Sequence, residues 1–454
     1  MTSLQVRLRP DQADLGADLL LDWFKGDKGP STVGYKSDFL RDLDVSPVAC
    51  DLLRIGGAVF VADKTVLRNA TSDSWTRDIE VRVPVSAPAL WTATADQLTR
   101  TLGFLSGDRW TFDFEELPPA PAEDGKSPRP QRRRARATTV PIGSFDTVCL
   151  FSGGLDSLAG AVDLLEAGHK PVFVGHHENG KPSRLQGDLF DEVEQVYGAV
   201  NCSLRRIYLA PRSKTAKQAR PFPGARERTT RSRSFLFLSA AAALADAIGT
   251  GTRIVMPENG FIGINVPLTP ARSGSLSTRT THPQYVAHIS TLFAKLGLDH
   301  PIENPYRLMT KGEILAASSS PSLLERLTPK SVSCSHPEAG RWRGGKAAQR
   351  QGNCGACYPC LIRAASLNHV GWNDACRIFN PLNAGQQPEL LTPSKKTGAS
   401  LRAVLDHLRR PASPFDVLRN GSIPNGEARA FSEVYMRGRD ELSAWLRSGP
   451  SPLL

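Results

Sequence analysis

The stretch from Val148 to Ser157, VCLFSGGLDS, constrains this chain more than any other segment. A short apolar run rich in strand formers ends in Ser-Gly-Gly-Leu-Asp-Ser and opens directly into a helical pattern. Glycines let a backbone pass close to a ligand, and the amides of such a turn and of the helix N-terminus point at an anion. Ser152 and Ser157 add hydroxyl donors, and Asp156 adds a carboxylate placed to help hold a magnesium ion. The Gly-Lys-Ser/Thr that closes a Walker A loop is missing, which argues against a motor or a kinase. The segment predicts a phosphate cradle made by Phe151, Ser152, Gly153, Gly154, Leu155, Asp156, Ser157 and Leu158.

Strands and helices alternate from Thr147 onward. Strand Thr147–Phe151 leads into a helix over Ser157–Glu166, and strand Val172–Gly175 precedes a helix near Gly187–Val200. Strand Arg206–Leu209 precedes a long helix, Ser232–Ile248, and strand Arg253–Met256 follows. Such alternation implies an α/β fold with a parallel sheet covered by helices on both faces. Ligands in these sheets bind beyond the carboxyl ends of the strands, where the Ser-Gly-Gly turn sits.

The flanks read differently. Residues 1–116 carry strand-like alternation at Leu4–Leu8, Ala58–Ala62, Ile79–Val85 and Trp110–Phe114, with a helical stretch near Ala95–Leu102. They are expected to form a small α+β domain for recognition or scaffolding. Residues 117–139 are a Pro/Arg-rich connector, residues 140–380 the nucleotide-binding domain, and residues 381–454 a helical extension with helices at Ser400–Arg409 and Gly426–Arg447. The net charge of +11 is concentrated in two blocks. Residues 126–136 carry six positive charges, and residues 211–233 carry eight against one negative, which leaves the rest of the chain slightly acidic. Basicity this local disfavours nucleic acid as a partner over a broad face. No apolar run approaches a membrane span, no signal peptide is evident, and the eight cysteines do not form a disulfide framework. A reduced cytoplasm is the expected compartment.

Four further groups carry chemistry. Cys334, Cys354, Cys357 and Cys360 offer two overlapping Cys-x-x-Cys steps and a fourth thiol from upstream, a set that suits structural zinc. An iron–sulfur cluster is the competitor that spacing leaves open. Arginines run into the apolar helix after Ser232, where a helix dipole favours anions, so Arg231 or Arg233 is expected on a polyphosphate. Glu258 and Asn259 follow a strand end and suit a purine-like base, although Asn-Gly alone makes a turn. Lys311 opens a helix and is a candidate for the phosphates. Asp156, Ser157, Arg233 and Lys311 form the expected catalytic set. His176, His177 and His282 have no obvious partner in the sequence, and Cys149 belongs to a buried strand.

The Ser-Gly-Gly-Leu-Asp-Ser loop resembles the PP-loop of the ATP pyrophosphatases, with the HUP-like (adenine nucleotide α-hydrolase-like) sheet that this implies. Phe151–Ser157, Arg233 before Phe235-Leu-Phe-Leu, Pro305 with Lys311 and Glu313, and the four cysteines with Arg363 together resemble the QueC family of 7-cyano-7-deazaguanine synthases over residues 145–380. The resemblance implies ATP, Mg2+ and Zn2+ as cofactors and adenylation of a 7-carboxy-7-deazaguanine carboxylate. Ammonia then gives an amide, and a second ATP gives the nitrile. Nineteen residues between Cys334 and Cys354, and the added flanking regions, are more similar to the QueC-like proteins of bacterial anti-phage systems, the QatC group. That likeness implies protein partners from a defence operon and leaves the attacking amine open, a protein amine included. A tRNA-modifying PP-loop enzyme and a non-catalytic nucleotide sensor are the alternatives.

Overall fold

The computed structural model describes residues 1–9, 11–23, 33–35, 37–118, 140–178, 181–212, 225–227, 231–268, 279–337, 339, 352–374, 377–424, 426–449 and 451–454. Nearly all of the 117–139 connector and most of the basic 211–233 stretch lie outside them.

The chain opens with β1 (Thr2–Arg7), β2 (Leu19–Asp22) and β3 (Val33–Tyr35), then α1 (Pro47–Thr65), β4 (Asp78–Val85), α2 (Pro88–Ser106) and β5 (Arg109–Glu116). Four of these strands form a sheet of order β2-β1-β4-β5, every pair parallel. The module is therefore α/β, which corrects the α+β expectation. The error starts at Ala58–Ala62, whose alternation lies inside α1. Pro47 occupies the first helical turn, and Ser46 Oγ accepts from Ala49 N at 3.3 Å, a cap that outweighs the local pattern. Once α1 is a helix, β1 and β4 are joined by a crossover and can pair in parallel.

The second sheet is built from β6 (Thr147–Leu150), β7 (Pro171–His177), β8 (Ser203–Pro211), β9 (Arg253–Val255) and β10 (Ile302–Glu303). Its helices are α3 (Leu155–Glu166), α4 (Lys181–Tyr197), α5 (Arg233–Ile248), α6 (Gly260–Ile264), α7 (Pro283–Lys295), α8 (Lys311–Ala317) and α9 (Pro321–Leu327). The order is β10-β9-β6-β7-β8-β3, parallel except for β3, which runs antiparallel to β8 at the edge. The chain leaves β6 toward β7 and β8, then returns to β9 on the other side. β6 is thus the switch point, and a crevice opens beyond its carboxyl end.

Helix α5 ties the two sheets together. Every residue from Phe235 to Ala245 is buried, so the helix is apolar all round and must be covered on all sides. The second sheet covers one side through β6 and β7, and α1 covers another. At Gly56 a Cβ would lie 2.7 Å from Ser239 Oγ, so glycine permits the close crossing of α1 over α5. One continuous core results, running from Leu4 and Val59 to Leu236 and Ile254. The C-terminal helices Ala399–Arg409 and Ala428–Arg447 begin within two residues of their expected starts and form a second core with the helix Tyr358–His369. Among the described residues no helix is long and apolar enough to cross a membrane.

Candidate active site

Strand pairing persists one residue beyond β6, where Phe151 N donates to Val174 O at 2.8 Å. Gly153 then turns the chain at φ +81°, and Gly154 caps α3 without a side-chain hydrogen bond. Phe151, Leu155 and Leu158 are fully buried, so their side chains anchor the loop, and the Leu158 amide is engaged within it, donating to Gly154 O at 3.0 Å. Ser152 Oγ and Ser157 Oγ sit 3.3 Å apart, and Ser157 Oγ donates to Gly154 O at 2.9 Å. A third hydroxyl arrives from far along the chain: Ser333 Oγ accepts from Leu155 N at 3.1 Å. Nothing in the sequence near Ser333 marks it except its place beside Cys334.

Asp156 is placed differently from the expectation. Its Oδ1 accepts from Lys311 Nζ at 2.7 Å and its Oδ2 from Asn259 Nδ2 at 2.7 Å, with all three residues buried. Burial alone raises the carboxyl, but the Lys311 ammonium overrides it and holds Asp156 below its ordinary value. Glu258 shares this cluster. Burial and the neighbouring Asp156 charge push its carboxyl well above the usual range, which favours the protonated form of Glu258 beside the Asp156 carboxylate. Both Asp156 oxygens are thus engaged, and neither Asp156 nor Lys311 lines the two cavities at the loop. This arrangement does not fit an open magnesium ligand, and Lys311 serves as the counter-ion of Asp156 rather than as a free phosphate donor. Asn259 is spent on Asp156 and on capping α6, where its Oδ1 accepts from Ile262 N at 2.9 Å.

The two neighbouring arginines part company. Arg231 stacks over Trp75 at 4.7 Å and donates to Ser106 O at 2.8 Å, both in the first module. Arg233, the first residue of α5, lines both cavities beside the loop. Its guanidinium lies 5.2 Å over Phe237, one nitrogen reaches His176 O at 3.4 Å, and its Nε is buried with no partner. Burial lowers its pKa from the ordinary guanidinium value. Asp63 of α1 fixes this helix end, accepting from Ser232 N at 3.0 Å and Ser232 Oγ at 2.7 Å.

The four cysteines converge as their spacing predicts. Their sulfurs lie within 4.8 Å of one another, with Cys334 to Cys357 at 3.8 Å and Cys354 to Cys360 at 3.9 Å. A tetrahedron with Zn–S bonds of about 2.3 Å has edges of roughly 3.8 Å, so donors and dimensions suit zinc. Backbone N–H groups of Cys354, Cys357 and His336 approach these sulfurs at 3.2–3.3 Å and favour thiolates. Gly355 sits at φ +80°, where a Cβ would collide with Phe379 O at 1.9 Å. The cluster also abuts the loop, because Val332 N donates to Gly153 O at 2.9 Å and Cys360 Sγ lies 3.6 Å from Ser333 O.

Two cavities flank Ser152. One, of about 430 Å³, runs along β7 past His176, Glu178 and Gln186 toward Cys334. The other, of about 300 Å³, is walled by Ser157, Phe237, Met256, Glu258 and Thr281. Ser152 and Arg233 belong to both. A larger groove of about 570 Å³ near Arg253, Glu303 and Phe431 adjoins the second cavity at Thr281.

A parallel sheet with a Ser-Gly-Gly turn at its switch point and a four-cysteine cluster beside it is consistent with a PP-loop-like domain. Over 242 residues, 51% of this chain and 97% of the relative, the sequence is 27% identical to a 7-cyano-7-deazaguanine synthase of Ectopseudomonas mendocina (strain ymp), which supports a QueC-like assignment for that half. No family model matches the chain.

Proposed function

We propose that this protein is an AMP-forming, ATP-dependent enzyme that activates the carboxylate of a 7-carboxy-7-deazaguanine-like base. The observation that carries the reading is Arg233, a half-buried cation that lines both cavities at Ser152. One cavity for a nucleotide and one for a carboxylate base put both negative groups on the same guanidinium, which matches charge gathering at the α-phosphate. The carboxylate oxygen attacks the α-phosphorus in line, the P–O bond to the β-phosphate breaks, and pyrophosphate leaves. An amine then adds to the acyl carbon, loses a proton and expels AMP. Ser152 and Ser157 hold the phosphate oxygens with the amides at the start of α3, and Arg233 steadies the developing charge. Asp156 and Lys311 set the inner end of the loop by their mutual charge.

The acceptor amine in this reading is ammonia, giving the amide and then the nitrile once a second ATP adenylates the amide oxygen and AMP leaves with it, or a protein amine, giving a nucleobase–protein conjugate. The half of the chain outside the likeness to the synthase supports a further partner, which we place in a bacterial anti-phage system. Pyrophosphate release that depends on ATP and 7-carboxy-7-deazaguanine tests the activation step, and its absence with every deazaguanine carboxylate overturns it. Intact mass of a candidate partner after the same incubation tests conjugation; an unmodified partner beside free nitrile rules that out.

A further inference from the structure

Two buried side chains on the wall of the larger loop cavity each keep a polar atom without a partner. Gln186 Nε2 donates to Phe151 O at 2.6 Å, and because a carbonyl only accepts, the amide orientation is fixed. Its Oε1 is the acceptor left over, buried and unpaired. His176 Nε2 lies 2.9 Å from Leu209 O, again a carbonyl, so that nitrogen carries the proton. Burial, reinforced by the Arg233 cation, lowers His176 to about 3, so the ring is neutral and Nδ1 is a bare lone pair, also unpaired. Both residues are 3% exposed and line the same cavity.

A buried acceptor without a donor costs roughly 1–3 kcal/mol, and two on one wall call for donors that water or a ligand in the cavity supplies. The wall is shaped for them. At Gly175 a Cβ would lie 2.8 Å from Gln186 Nε2 and 2.9 Å from its Oε1, so the missing side chain makes room for the amide. Arg233 Nε, an unpaired donor on the same cavity, complements them with a site for a ligand's carbonyl, carboxylate or phosphate oxygen.

We infer that His176 Nδ1 and Gln186 Oε1 accept hydrogen bonds from the N–H groups of an amino-substituted purine-type base seated in this cavity, and so determine which base enters. The inference rests on the adenylation reading, which supplies two molecules of that chemistry. Adenine of ATP presents a 6-amino group; the deazaguanine presents N1–H and a 2-amino group.

Calorimetric binding to the full chain separates the two sources. ATP is compared with purine riboside triphosphate, which lacks the 6-amino group, in the absence of any carboxylate. In parallel, 7-carboxy-7-deazaguanine is compared with its analogue lacking the 2-amino group. Wild type is expected to prefer the amino-bearing member of one pair by about tenfold or more, equivalent to ~1.4 kcal/mol. His176→Phe and Gln186→Met should each bring that ratio close to one, and the pair that responds names the occupant. The ratio is internal to each variant, so a change in stability alone does not imitate the result. No preference in either pair for wild type, or an unchanged preference in both variants, overturns the inference. Base discrimination without pyrophosphate release would sink the adenylation reading and leave this one standing.

Discussion

Glu258 shows how a single residue can be legible in place and illegible in state. Its position after β9 is visible in the sequence, but its protonation is set by Asp156, about a hundred residues away, and by burial. A carboxyl whose folded pKa is raised contributes stability that is full below its unfolded value near 4.3 and is lost as pH climbs through the folded value. Glu258→Gln keeps the shape and removes the titration. The variant is expected to match wild type in thermal midpoint at pH 4 and to exceed it at pH 8; equal midpoints at both would show that Glu258 does not hold its proton. Lys311 has the opposite character, since it is buried against Asp156 at 2.7 Å. Lys311→Met strands that carboxylate and should cost about 3–5 kcal/mol in urea unfolding, the loss typical of a broken buried pair. Only the capping box of Thr310 and Glu313 hints from sequence that Lys311 opens a helix; nothing local says that it points at Asp156.

Between elements, the cysteine knuckle and the phosphate loop behave as one structure. Val332 and Ser333, directly before Cys334, bond to Gly153 and Leu155, so the segment that closes the cluster also braces the turn. The Cys-x-x-Cys-x-x-Cys spacing made the cluster legible, because three thiols within seven residues leave the chain few other geometries. The bracing was not legible, because it depends on where Ser333 lands after the chain has crossed the sheet. Zinc is expected at one ion per chain by elemental analysis. Its removal by chelation should lower both the thermal midpoint and ATP affinity, whereas a fall in the midpoint with unchanged ATP affinity would uncouple knuckle from loop. Arg231 and Arg233 teach the same lesson at a helix end: two residues apart, one belongs to the first module and the other to the cavities.

Across the whole molecule, the first module reads in sequence as a separate body, yet in the structure it completes the core of the second sheet. A helix as apolar as Phe235–Ala245 is a sequence-visible sign that α5 is covered on more than one side. What covers it was hidden, because α1 was masked by strand-like alternation at Ala58–Ala62. Beneath α1, Asp63 holds Ser232 and also accepts from Arg77 at 2.6 Å, and Arg77 in turn binds Asp108 at 2.6 Å. Charges this buried are costly unless every partner is present, so the network favours one docking of the module on α5. Asp63→Ala leaves the Ser232 N–H without its acceptor and Arg77 with Asp108 as its remaining carboxylate, and should lower stability by about 3–5 kcal/mol while displacing Arg233 from the cavities. A chain beginning at residue 140 goes further: it exposes the α1-facing side of α5, strips β3 from the edge of β8 and removes the Asp63 cap together. That fragment is expected to be recovered as aggregate or as an unstable species without cooperative unfolding, even with zinc supplied. A soluble, cooperatively folding fragment that still binds ATP would show that the first module is an attachment to the site and not part of its foundation.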